Sequence, residues 1–139
     1  MDVSFDAEMK KVHLTDVVIE MHKYNVKVSL FVDPDPKQIE ASAKTGADFI
    51  EIHTGEYANA RNEKEQFEEL KKIKEAAKLA RSLGLGVNAG HGLNYLNVIP
   101  ITRVEEIEEL SIGHAIVARA IFVGFERAVR EMVRLVKGI

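Results

Sequence analysis

The chain has 139 residues and a mass of 15.5 kDa, the size of one domain able to bury a core. Its 46% hydrophobic and 29% charged residues describe a folded globular protein, and a net charge of -3 with a pI near 6.0 gives no footing for nucleic acid. Disulfides, thiolate catalysis and cysteine-held metals are excluded because there is no cysteine, and no apolar run reaches membrane-spanning length.

The start, Met1-Asp2-Val3-Ser4-Phe5-Asp6, lacks the basic and apolar stretches of a signal peptide, so a cytoplasmic location away from membranes is expected. Met9, Val12, Val17 and Met21 then recur at near-helical spacing. They predict an amphipathic helix from about Asp6 to Tyr24, with Asn25 as its stop. His13 and His22 fall on it as ordinary surface or boundary residues. Lys27 to Val32 is β-branched and aromatic and reads as a strand, ended by Asp33-Pro34-Asp35-Pro36. Asp35 is placed to cap the next helix, and Pro36 fits its first turn. That helix runs to about Lys44 and stops at Thr45-Gly46.

Asp48 to His53 is the second strand, followed by Thr54-Gly55 and a polar loop holding Glu56, Tyr57, Asn59 and Asn62. From about Glu63 to Ser82, the residues Phe67, Leu70, Ile73, Ala77 and Ala80 share one face of a long helix whose charges form a solvated face. Leu83-Gly84 closes it and leads into the third strand, which delivers His91. Asn97 to Thr102 reads as a short helix, where Pro100 is tolerated only in the first turn. Glu109 to His114 is a fourth strand. Ala115 to Lys137 is helical, with a stripe of Ile121, Phe125, Val129, Met132 and Val136 and a break at Gly124. A leading helix followed by about four strand–helix units argues an α/β fold with a parallel sheet, in a single domain over residues 1–139.

The chemistry collects at the strand ends. In Gly84-Leu85-Gly86-Val87-Asn88-Ala89-Gly90-His91-Gly92-Leu93-Asn94-Tyr95 a histidine stands between two glycines. The glycines permit positive φ and close approach of a ligand, and an imidazole suits proton transfer near neutrality. His53, His91 and His114 all fall at predicted C-terminal strand ends, the side on which α/β folds bind ligands. Glu51 lies two residues before His53, so both face the same way. Two readings of it stand: a salt bridge to a helix, or a carboxylate facing a polar active site beside His91. Gly113-His114 ends the last strand and opens a helix, whose first N–H groups and dipole match a phosphate. No HxH or HExxH spacing occurs, and the histidines come from separate strands, which points away from a metal.

Val28 to Asp33, Phe49-Ile50-Glu51-Ile52-His53-Thr54-Gly55, Val87 to Tyr95 and Ile112-Gly113-His114-Ala115 resemble the pyridoxine 5′-phosphate synthase family, in family order over nearly the whole chain. The resemblance implies a TIM (βα)8 barrel enzyme of vitamin B6 biosynthesis. It would condense 1-deoxy-D-xylulose 5-phosphate with 3-amino-2-oxopropyl phosphate, releasing phosphate and water, with no metal or organic cofactor. By motif match His91 is the catalytic proton donor and Glu51 a transition-state stabiliser. Gly92 is a substrate-binding position, and Gly113 and His114 hold a substrate phosphate.

A full barrel takes about 250 residues, so the resemblance implies the C-terminal half of one. The family's N-terminal catalytic and substrate-binding motifs have no counterpart here. Met1-Asp2-Val3 falls where the family usually has Gly-Gly-Leu-Asp-Val inside its chain, as in a split gene, an internal start or an excised piece. The expected protein is a half-barrel active only with a complementary N-terminal half, joined to it or to a second copy. Its rivals are a non-catalytic phosphate-binding module and a self-associating structural fragment.

Overall fold

The computed structural model describes residues 7–139, with side chains described from residue 14 onward. Met1-Asp2-Val3, and the side chains of Met9, Val12 and His13, therefore lie outside the described residues. Among the described residues the order is α1 (Ala7–Lys23), β1 (Ser29–Val32), α2 (Pro36–Thr45), β2 (Phe49–His53), α3 (Gly55–Asn59), α4 (Glu63–Ser82), β3 (Gly86–Gly90), α5 (Val98–Thr102), β4 (Glu109–Ser111), α6 (His114–Val123) and α7 (Phe125–Lys137). The four strands form one parallel sheet in chain order, β1-β2-β3-β4. The α/β architecture read from the alternation is thus present.

Local chemistry sets the helix ends. Asp35 Oδ1 accepts the N–H of Lys37 at 2.7 Å, with Pro36 as the first helical residue of α2. Gly46 ends α2 at φ 83°, a conformation glycine adopts without strain. Asn62 caps α4 by accepting the N–H of Glu65 at 2.9 Å. Gly124, at φ 83° and ψ 153°, separates α6 from α7, which is the predicted break.

Pairing puts Leu30, Ile50 and Val87 in one row and Val32, Ile52, Ala89 and Leu110 in another. These rows face α2 and α4, where Ile39, Ile73, Ala76, Ala77 and Ala80 complete the core. Ile50, Ile52 and Val87 are fully buried there. Truncating one of these isoleucines to alanine would cost roughly 2–5 kcal/mol. The intervening row, Phe31, Glu51, Asn88 and Glu109, points to the opposite, open face. Phe31 is 58% exposed on it.

Several expectations change. The segment after Thr54 is the short helix α3, and its Tyr57 is buried, because the phenol O–H donates to the Asn97 carbonyl at 2.7 Å. Among the described side chains of α1, Val18 is buried, while Val17 and Met21 are exposed. Phe67 of α4 is likewise exposed, since it lies beyond the turns that reach the sheet. The last stripe is buried at Met132 but open at Ile121, Phe125 and Val129, because α7 rests on α5 and α6 through Ala128 and Met132. The fourth strand is shorter than expected and stops at Ser111, where Gly113 begins to cap α6. No helix among the described residues is long and apolar enough to cross a membrane.

His22 is more than surface decoration, because it ties α1 to the start of β2. Asp48 Oδ2 stands 2.9 Å from His22 Nε2 and accepts the Val28 N–H at 2.8 Å. The Val28 amide, and then His22, hold the Asp48 carboxyl below its ordinary value of 3.8. A depressed folded-state pKa adds stability above that ordinary value and loses it as pH falls below. In urea titrations Asp48→Ala should be about 1 kcal/mol less stable than the parent at pH 6. The gap should close below pH 3.8; a gap indifferent to pH would show that the charge contributes nothing.

Candidate functional site

All four strands are parallel, so their C-terminal ends share one edge of the sheet. Asp33, His53, His91 and His114 emerge there, each just beyond or at the end of its strand. An open cleft of about 640 Å³ lies over this edge, lined by Phe31, Glu51, His91, Gly92, Ser111, Gly113 and His114 among others. Glu51, His91, Gly92, Gly113 and His114, all singled out from sequence, are therefore brought to one cavity. His53 is not part of the lining and sits behind His91.

Glu51 reaches the cleft by crossing its neighbour strand. Its Oε2 accepts the Ser111 Oγ–H at 2.9 Å, two strands away. The path runs over Gly90, where any Cβ would overlap the carboxylate. The same device operates one row down, where the Phe49 ring lies over Gly86 and a Cβ would overlap it. Glu51 makes no ion pair among the described residues, and its carboxylate lies on the open face rather than against a helix.

The backbone that carries His91 is strained. His91 itself adopts φ 80° and Gly92 φ 79°. The sequence suggests that the flanking glycines would take up the unusual conformation; Gly92 does, but the histidine does so too. A non-glycine residue there costs roughly 1 kcal/mol and persists only where its surroundings hold it. Thr54 provides that hold: its fully buried hydroxyl lies 2.7 Å from the carbonyl oxygens of both Gly90 and His91. Its N–H donates to the Gly90 carbonyl at 2.8 Å. Downstream, Asn97 is buried and clasps the loop, accepting the Asn94 N–H at 2.7 Å and donating to the Gly92 carbonyl at 3.2 Å. Burial raises the Tyr57 phenol pKa, which keeps the O–H available for the Asn97 carbonyl.

Across the cleft, Gly113 is the N-cap of α6 and no side chain caps the helix. The amide groups of its first turn thus keep their donors free of a side-chain partner at the positive end of the helix dipole. His114 is the first helical residue and is exposed. Among the described residues no group of three or more His, Asp or Glu is arranged to hold a metal ion.

Sequence reasoning missed Ser111, Thr54 and Asn97. Thr54 carried a faint signal, being the one hydroxyl between the strand-ending His53 and Gly55. Ser111 and Asn97 carried none, because their roles come from pairing across the sheet and between loops.

Residues 2–138 match the family model described as pyridoxal phosphate biosynthesis protein PdxJ. A protein of Geobacter sulfurreducens named pyridoxine 5′-phosphate synthase is 53% identical over 124 residues, covering 89% of this chain and 52% of the relative. Proteins of the same name from Geotalea uraniireducens and Geotalea daltonii are 51% and 60% identical, covering 95% and 79% of the chain and 55% and 46% of their own lengths. The chain spans about half the length of the curated relatives it matches.

Thr54→Val keeps shape but removes the hydroxyl that braces the strained turn. It should destabilise the fold by about 1–2 kcal/mol in urea titration and speed amide exchange at Gly92 and Leu93. Unchanged exchange there would show that Thr54 does not brace the turn.

Proposed function

The chain belongs to the family of the pyridoxal phosphate biosynthesis protein PdxJ, and from that premise we propose that it forms the C-terminal half of a pyridoxine 5′-phosphate synthase barrel. The reaction proposed is the condensation of 1-deoxy-D-xylulose 5-phosphate with 3-amino-2-oxopropyl phosphate, releasing phosphate and water, in a single domain that needs no cofactor. The observation that carries this reading is the convergence of Glu51, His91 and the α6 N-terminus on one open cleft.

In that cleft a phosphorylated substrate would rest its phosphate on the first-turn N–H groups of α6, with Gly113 and His114 beside it. Gly92, whose backbone also lines the cleft, would let the substrate approach closely. Expelling water from a condensing carbonyl requires a proton on the departing oxygen. His91, exposed to the cavity, would supply it. Glu51, held by Ser111, would face positive charge as it develops on the amine-derived nitrogen.

The half-barrel reading is supported by what the open face lacks. β1 and β4 each pair on one side only among the described residues, which leaves two rows of unpaired backbone groups. Asn88 Oδ1, in the Phe31–Glu51–Asn88–Glu109 row, is buried without a hydrogen-bond partner among the described residues. The apolar residues on this face are Phe31 and Phe49, since Ile50 and Ile52 are covered by α2 and α4. The remaining wall would come from a complementary N-terminal half, with a second copy of the chain as its substitute.

Two measurements test the proposal. When the chain is combined with the first half of the Geobacter sulfurreducens relative, pyridoxine phosphate should form and be seen by its fluorescence. His91→Ala should lower turnover by about 10²–10⁴-fold. Equal turnover in the mutant would remove His91 from the mechanism. Sedimentation of the chain alone at micromolar concentration should show assemblies larger than the monomer. A single species near 15.5 kDa with cooperative unfolding would overturn the claim that the open face requires a partner.

A further inference from the structure

We infer that Gln38, Asp33 and His53 form a positioning line that sets the ring orientation of His91. This rests on the reading of His91 as the proton donor. The His91 side chain makes no hydrogen bond among the described residues; what touches its ring is other rings. The His53 ring lies 4.8 Å from it, centroid to centroid, tilted by 56°, and the Phe31 ring meets it edge-on at 6.3 Å. Phe31 also packs edge-on against His53 at 5.2 Å, so the three rings form one cluster at the ends of β1, β2 and β3.

His53 is the member of that cluster that is anchored. Its Nδ1 lies 3.2 Å from Asp33 Oδ1, and because a carboxylate only accepts, Nδ1 carries the hydrogen. Asp33 is held in turn by Gln38 of α2. The Gln38 amide nitrogen donates to Asp33 Oδ2 at 3.2 Å, and its carbonyl accepts the Asp33 N–H at 3.0 Å. Gly55 makes room for the arrangement, since a Cβ there would overlap the His53 ring and press on His91 Cδ2. A helix residue, Gln38, thus connects through two side chains, Asp33 and His53, to a ring on a strained turn. General acid catalysis needs that ring aimed, and misplacement by about an ångström can cost 10²-fold.

The test reads ring geometry in the chain itself and separately reads turnover. In the parent, a nuclear Overhauser contact should join the Cε1–H of His53 to the Cδ2–H of His91. Asp33→Ala should abolish it, whereas Asp33→Asn, which keeps a carbonyl acceptor, should retain it. His53→Ala should average the His91 ring signals while amide shifts in α4 stay in place, which controls for folding. In the reconstituted enzyme Asp33→Ala should lower kcat by roughly 10–100-fold with KM little changed, and Asp33→Asn should restore most of it. A His91 contact that survives Asp33→Ala, or that vanishes equally in Asp33→Asn, overturns the positioning line. If the contact responds as expected but His91→Ala turns over as fast as the parent enzyme, the catalytic reading of His91 fails while the positioning line stands.

Discussion

The cleft depends on the in-register parallel pairing of the four strands. Because Ile50 and Ile52 must be buried against α2 and α4, Glu51 and His53 between and beyond them are forced to the other face. A slip of one residue would drive the Glu51 carboxylate among Ile39, Ile73 and Ala77, where no partner awaits it and the cost would be several kcal/mol, of order that for any unpaired buried charge. The hydrophobic effect acting on one side of β2 therefore aims the carboxylate on the other. Glycines at 86 and 90 follow from the same geometry. Side chains from β2 lean across β3, and only a residue without Cβ lets Phe49 and the Glu51 carboxylate lie down there.

Much of this was legible in the sequence, and the reasons are local. Strands rich in Val, Ile and Phe, the Asp35-Pro36 cap and the Gly46 stop each follow from backbone preferences acting within a few residues. The long periodic helix α4 has the same bounds in sequence and structure, Glu63 to Ser82. Where reading failed, the controlling contact was distant. Tyr57 looks like a loop residue until Asn97, forty positions on, offers its carbonyl. The stripe from Ile121 to Val136 has helical period, but periodicity says only that one face is apolar. It does not say that another element lies against it, and most of that face is open.

The site divides along the same line. His91, Gly92, Gly113 and His114 announce themselves because glycine beside histidine at a strand end is an unusual local pattern. The residues that support them, Thr54, Ser111, Asn97 and Asp33, are ordinary polar residues whose importance arises only when parallel strands bring their ends together. Glu51 lies between these cases. Alternation along β2 reveals which way it points, but only pairing through β3 to β4 supplies Ser111 as its partner.

The left-handed backbone at His91 sets stability against side-chain identity at that position. Glycine at that position would relax the turn, and asparagine would tolerate it more easily than most residues. On folding alone, mutation would drift position 91 toward those two residues and the protein would gain stability by it. A histidine there therefore holds a conformation that glycine or asparagine would adopt with less strain. The imidazole at φ 80° thus stands on a turn that the backbone would form at lower cost without it.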